Sequence, residues 1–142
     1  MLYIENPSTD PYYNQALEEY LFTAIQDEDL FFLWRNTPVV VCGKYQNLFA
    51  EVHVPTALEE KVALLRRISG GGTVYHDLGN INYSLITSCE PATVDYTQFL
   101  NPMIAALSRL GAPAEIVAGN GIGVDGKKIS GSAQRMVKRR VL

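Results

Sequence analysis

Three consecutive glycines, Gly70-Gly71-Gly72, sit between two runs of strand-forming residues. Each glycine loses more backbone freedom on ordering than any other residue. Three in a row therefore mark a place where something must approach the main chain closely. Bare amides in such a loop form a cradle for anionic oxygens. Arg66 and Arg67 come just before the glycines, and Ser69, Thr73, His76 and Asp77 share the segment. A guanidinium is a planar fork that matches phosphate or carboxylate. The segment reads as an anion-binding loop for a nucleotide or an acyl phosphate. The competing reading is a tight hairpin turn with solvated arginines.

The chain has 142 residues, enough for a single domain over 1–142 with its own core. Its hydrophobic share of 47% and charged share of 19% exclude a disordered chain. A net charge of -3 argues against a general nucleic-acid binder. Cys42 and Cys89 lie in apolar surroundings without metal-like spacing, as expected of buried thiols in a reducing compartment. No secretory leader and no apolar run of membrane-spanning length is evident. The expectation is a cytoplasmic protein with no membrane or nucleic-acid partner. The closing run Lys138-Arg139-Arg140-Val141-Leu142 reads like a domain interrupted before its next strand.

Leu2-Tyr3-Ile4 is a candidate strand. Asp10-Pro11 supplies a helix N-cap and a first-turn proline. Tyr13, Ala16, Leu17, Tyr20, Leu21, Ala24 and Ile25 follow as an apolar helical stripe, predicted to face the core with Glu18 and Glu19 off its centre. Leu30 to Trp34 and Pro38 to Cys42 are predicted strands, paired as a hairpin. Thr56 and Glu59 form a capping-box pattern for a short helix from Ala57. Strands are predicted at Val62 to Ile68, Thr73 to His76 and Ile81 to Thr87, with a turn at 77–80. Thr93 to Leu110 is predicted helical, stopped by Gly111, with Pro102 either starting its main segment or kinking it. Ala114 to Ala118 is a strand ended by Gly119-Asn120-Gly121. Asp125-Gly126 marks a hairpin between Ile122–Val124 and Lys127–Ser130. Strands outnumber helices without regular βαβ alternation, so the fold class is α+β with a mixed, mainly antiparallel sheet flanked by helices.

Lys127 and Lys128 fall on opposite faces of their strand, so one of them would point inward and need an anionic partner. That partner could be a ligand or a structural carboxylate. The small residues Ser130-Gly131-Ser132-Ala133 let a ligand or another strand come close.

The stretch from Arg66-Arg67-Ile68-Ser69-Gly70-Gly71-Gly72 through Thr73-Val74-Tyr75-His76-Asp77-Leu78-Gly79-Asn80 to Ser84 resembles the glycine-loop motif of the lipoate–protein ligase A family. Gly126-Lys127-Lys128-Ile129-Ser130-Gly131-Ser132-Ala133 resembles that family's lysine motif, and Leu33-Trp34-Arg35-Asn36 with Val39-Val40-Val41 its early hairpin. The resemblance implies the biotin/lipoate ligase catalytic domain, here incomplete at its C-terminus. It implies activation of lipoate by ATP with Mg2+ to lipoyl-AMP, then transfer to an acceptor lysine. The implied acceptors are lipoyl domains of 2-oxoacid dehydrogenase complexes and the glycine cleavage H protein. By motif position, Arg67 contacts the adenylate and the acyl end. Gly72, Thr73, Val74 and Tyr75 line the nucleotide and acyl pocket. Lys128 is the catalytic lysine, touching the lipoate carboxylate and the α-phosphate. Trp34, Ser69, Gly70, Gly71 and His76 bear on the lipoate pocket, and Asn120 on the phosphates or magnesium. The family pattern has Arg-Asn-Asp where this chain has Gly119-Asn120-Gly121, so one acidic and one basic residue of the pattern are missing. Two alternatives stand beside the ligase reading. One is an ATP-independent octanoyl or lipoyl transferase using Cys42 or Cys89. The other is a non-catalytic homologue that keeps the lipoyl pocket.

Overall fold

The computed structural model describes residues 1–89 and 96–142. The chain divides into two compact units: Met1–Cys89 with Gln134–Leu142, and Glu90–Ala133.

The first unit begins with β1 (Leu2–Tyr3) and α1 (Pro11–Ala24). Asp10 caps α1, its Oδ1 accepting from the amides of Tyr12 at 2.8 Å and Tyr13 at 3.3 Å. These bonds satisfy two of the amides that every helix start leaves without a partner. The strands β2 (Leu30–Trp34) and β3 (Val39–Cys42) lie where the β-branched and aromatic runs predict them. They do not form the expected hairpin. β2 pairs with β1 in parallel and with β6 (Asn82–Ser88) antiparallel. β3 pairs in parallel with β4 (Ala63–Arg66) and antiparallel with β5 (Val74–His76). The short Arg35–Pro38 link therefore carries the chain from one sheet to another. Polar connectors identify a turn but not which sheet the next strand joins.

Between β3 and β4 lie α2 (Leu48–Glu51), started by Asn47, and α3 (Val54–Glu59). The expected start at Ala57 is three residues late. His53 occupies the N-cap position of α3 without a side-chain cap bond, and Thr56 bonds the His53 ring at 2.8 Å instead. The last strands, β10 (Met136–Val137) and β11 (Arg140–Val141), make a small hairpin that extends the sheet beside β6. In the terminal basic run Lys138 and Arg139 make the turn of this hairpin, and Arg140 begins β11. Buried Arg140 fixes it, donating to Ser88 Oγ at 3.3 Å and to the Glu28 carbonyl.

One sheet runs β1-β2-β6-β11-β10 and the other β4-β3-β5. The core joins Leu21, Phe22, Leu30, Phe32, Trp34, Ile68 and Ile86. The face that α1 buries is not the predicted stripe. Pro11, Asn14, Gln15, Glu18, Leu21 and Phe22 are buried, while Tyr13, Ala16 and Tyr20 are exposed. The apolar count misidentifies the face because the buried face holds three polar residues with partners inside.

The second unit contains α4 (Tyr96–Arg109), with Pro102 inside the helix, packed against a β7-β8-β9 sheet. The expected helical residues Thr93 to Asp95 lie outside the described residues. Gly111 ends α4 at φ 88°, and the amide of Ala112 donates to the Leu107 carbonyl at 3.0 Å. β7 (Ala114–Val117), β8 (Gly121–Val124) and β9 (Lys127–Gly131) form an antiparallel meander. The Asp125-Gly126 turn has both residues at positive φ, 50° and 73°, as a two-residue type I′ hairpin requires.

Candidate active site

The glycine loop is organised by the arginine that precedes it. Arg67 Nη2 donates to the carbonyls of Gly70 at 2.6 Å and Gly72 at 2.8 Å, and Nη1 to the Val41 carbonyl at 3.2 Å. All peptide bonds are trans. In a trans peptide the N–H points opposite to its C=O. With the Gly70 and Gly72 carbonyls turned toward the guanidinium, the amides of Gly71 and Thr73 are turned away from it. Neither amide has an acceptor among the described residues. A Cβ placed on Gly70 or Gly72 would meet nothing within 4 Å, so open space borders the loop. Two amides of the loop, those of Gly71 and Thr73, are thus directed away from the guanidinium.

The guanidinium itself is bonded to neutral carbonyl dipoles, and its buried Nε has no partner. Burial pulls the Arg67 pKa below its ordinary value, opposed by Cys42 and Glu18. The side chain stays charged and keeps much of its field.

A second loop braces the first. Gly43 lies so close to the glycine loop that a Cβ on it would sit 2.0 Å from the Gly71 carbonyl oxygen. The Lys44 amide donates to the Ser69 carbonyl at 2.9 Å. Gln46 Oε1 accepts from Thr73 Oγ1 at 2.7 Å and from the Gly43 amide at 3.2 Å. Arg66 Nη1 gathers the carbonyls of Gly43 at 2.7 Å, Lys44 at 3.2 Å and Gln46 at 2.7 Å. Arg66 thus holds the bracing loop, and Arg67 holds the cradle.

Trp34 and His76 meet edge to face, with ring centroids 6.1 Å apart. Two polar chains that the sequence reading missed hold them. Trp34 Nε1 donates to Ser84 Oγ at 3.0 Å, Ser84 donates to Glu18 Oε1 at 2.5 Å, and Gln15 donates to Glu18 Oε2 at 2.7 Å. Burial raises the Glu18 pKa above the ordinary carboxylate value, against the lowering effects of Ser84, Gln15 and Arg67. In the other chain, Asn14 Nδ2 donates to Asn36 Oδ1 at 2.9 Å, which turns Asn36 Nδ2 toward His76 Nδ1 at 3.3 Å. Nδ1 is then the acceptor and the proton sits on Nε2. Burial, followed by the charge of Arg67, lowers the His76 pKa, while Asp77 opposes them, so the ring is neutral at pH 7. The signal for both chains was on α1: Asn14, Gln15 and Glu18 share the i, i+3, i+4 spacing of Pro11, Leu21 and Phe22.

Val74 and Tyr75 are exposed on β5, the edge strand of its sheet. With Thr73 they border an open groove of about 510 Å3, whose apolar wall is Val40, Val52, Ala57 and Val62. Ser69 is buried under the cradle.

Lys128 and Asn120 belong to the second unit. Neither Lys127 nor Lys128 points inward; both are exposed. A bulge between Ile122 and Gly123 shifts the pairing, which breaks the simple alternation. The Lys128 side chain lies over two glycines: a Cβ on Gly121 would come within 2.7 Å of its Cε, and one on Gly131 within 3.7 Å of its Nζ. Asn120 Nδ2 donates to the Ser132 carbonyl at 3.0 Å, and the Ser132 amide returns a bond to the Asn120 carbonyl at 2.9 Å. Its side-chain nitrogen is thus committed to closing the sheet. Among the described residues no three His, Cys, Asp or Glu side chains cluster as metal ligands. Asn120 Oδ1 remains the atom that this residue could offer a cation.

An arginine-wrapped glycine loop and a Trp–His pair thus share the α+β scaffold of the first unit. The lipoyl protein ligase A/B catalytic domain matches residues 10–142, and the chain belongs to that family. It is 42% identical over 144 residues to lipoate-protein ligase LplJ of Bacillus subtilis (strain 168), covering 99% of this chain and 44% of that protein. The chain therefore spans less than half the length of this curated relative. Among solved structures, a bi-partite lipoate protein ligase studied with its E2 lipoyl domain, from Thermoplasma acidophilum, aligns at TM-score 0.85 and 29% identity. That alignment covers 97% of this chain and 56% of the other. A lipoate-protein ligase A bound with ATP aligns at TM-score 0.83 and 26% identity, over 99% of this chain and 62% of the other.

Proposed function

We propose that this chain carries the adenylate-forming machinery of an ATP-dependent lipoate–protein ligase. The observation that supports this reading best is Arg67 inside the glycine loop, with the Gly71 and Thr73 amides turned outward. In the first step a lipoate carboxylate oxygen attacks the α-phosphorus of ATP. The bond to the β-phosphate bridging oxygen breaks, and pyrophosphate leaves. Two anions must meet, so fixed positive charge and fixed donors lower the barrier. Arg67 supplies charge that carbonyl dipoles do not cancel, and the two amides supply donors that need no reorganisation. Gly72, Thr73, Val74 and Tyr75 take the nucleotide side. Trp34 and His76, with Ser69, Gly70 and Gly71, bound the acyl side. Mg2+ arrives with ATP as part of the substrate, and Asn120, whose Oδ1 is the atom a cation would take, lies by the phosphates or the magnesium.

In the second step the amine of an acceptor lysine attacks the lipoyl carbonyl, gives up a proton, and AMP departs. Lys128 is the catalytic residue of the second unit: its ammonium meets the lipoate carboxylate and then the charge on the departing phosphate. Residues 1–142 are read here as one catalytic domain. The acceptors are lipoyl domains of 2-oxoacid dehydrogenase complexes and the H protein of glycine cleavage. The cytoplasm is the setting, where Cys42 and Cys89 stay as free thiols. A cysteine-based transferase is the weaker reading. Cys42 is wholly buried in β3, its thiol directed at the Gln46 carbonyl, where an acyl donor has no access.

The test is pyrophosphate release by this chain with lipoate, ATP and Mg2+. Release is expected, and Lys128→Ala is expected to abolish it with an unchanged melting temperature. Absence of release contradicts the ligase reading, and full turnover by Lys128→Ala contradicts the role of that lysine.

A further inference from the structure

Gln46 lies outside every motif singled out in the sequence, yet its side chain links the two loops of the first unit. It is half-buried. The Gly43 amide can only donate, so the atom facing it at 3.2 Å must be the Gln46 carbonyl oxygen. That oxygen is also 2.7 Å from Thr73 Oγ1, and Thr73 must therefore be the donor there. One acceptor atom thus fixes two things. It anchors Gly43, whose Cα leaves no room for a side chain against the Gly71 carbonyl. It also fixes the orientation of Thr73, whose outward amide is half of the cradle. Arg66 keeps Gln46 in place by binding its backbone carbonyl at 2.7 Å.

We infer that Gln46 is a positioning residue of the adenylate cradle, holding the Gly71 and Thr73 amides toward the bound phosphate through Gly43 and Thr73. This rests on the ligase reading given above. Gln46 touches no reacting atom. Its effect reaches the ligand through the direction of two N–H groups. Loss of its acceptor frees the Thr73 hydroxyl to rotate and loosens the crossing at Gly43. Binding of the phosphate-bearing ligand suffers, while the core of the unit, built on Leu30, Phe32 and Ile86, does not depend on it.

The experiment is calorimetric titration of this chain with lipoyl-sulfamoyl-adenosine, a non-hydrolysable mimic of lipoyl-AMP, alongside thermal unfolding. Gln46→Met keeps the side-chain volume and removes the acceptor. It is expected to weaken binding about tenfold, the scale of one well-placed hydrogen bond, with the melting temperature unchanged. Thr73→Val removes the other partner and is expected to weaken binding as well. The double variant is expected to lose far less than the product of the two single losses, because both break the same link. Three results overturn the inference while leaving the ligase reading standing: Gln46→Met binding as tightly as the wild type, a lowered melting temperature with retained affinity, or losses that multiply fully. A wild-type chain that does not bind the mimic overturns both.

Discussion

Glu18 shows at the scale of one residue how this chain builds a polar interior. Its carboxyl is buried in α1, accepts from Ser84 and Gln15, and is biased toward its neutral form by burial. The bias has a thermodynamic consequence. The folded pKa is raised, so the contribution of this group to stability is complete below its ordinary 4.5 and is lost as pH rises through the raised value. Glu18→Gln cannot ionise and keeps an oxygen for Ser84. Its stability relative to the wild type is therefore expected to improve as pH rises from weakly acidic to neutral, measured by urea unfolding across that range. Parallel stability curves for the two proteins would contradict the assignment. The sequence did not disclose Glu18, because an apolar-stripe reading places acidic residues outside, and only an internal partner such as Ser84, 66 positions away, makes its burial tolerable.

At the scale of elements, the sequence was most legible where local chemistry decides the outcome. Asp10-Pro11 starts α1, Gly111 stops α4, and Asp125-Gly126 turns β8 into β9, each through bonds or dihedrals set within a few residues. It was least legible in pairing. Nothing in Leu30–Trp34 or Val39–Cys42 states that one strand joins β6 and the other β4 and β5. Sheet choice is a long-range packing decision. The β8-β9 hairpin also carries the lysine motif, and its glycines have a packing role. A Cβ on Gly121 would come within 2.7 Å of both the Lys128 Cε and the Ser130 carbonyl oxygen. The lysine tip can move, but the carbonyl belongs to the neighbouring strand. Gly121→Ala is therefore expected to destabilise the fold by about 1–3 kcal/mol, the usual range for overpacking, and to lower pyrophosphate release by displacing Lys128. Thermal unfolding and the release assay check both, and an unchanged melting temperature would contradict the close packing.

For the whole molecule, two long motifs sufficed to place the chain in its family, and the catalytic-domain match over residues 10–142 agrees. The motifs could not show which of their residues are braces and which face a ligand. Arg66 and Arg67 are adjacent and alike in sequence, yet one gathers the carbonyls of the bracing loop and the other wraps the cradle. The proposed chemistry rests on that division: a charged fork held by carbonyls, with the Gly71 and Thr73 amides turned away from it. The most direct measurement is calorimetric titration of the wild-type chain with lipoyl-sulfamoyl-adenosine, using the biotinyl counterpart as control. One-to-one binding of the lipoyl compound, much tighter than the biotinyl one, is the predicted result. No heat with either compound, or equal affinity for both, would contradict it.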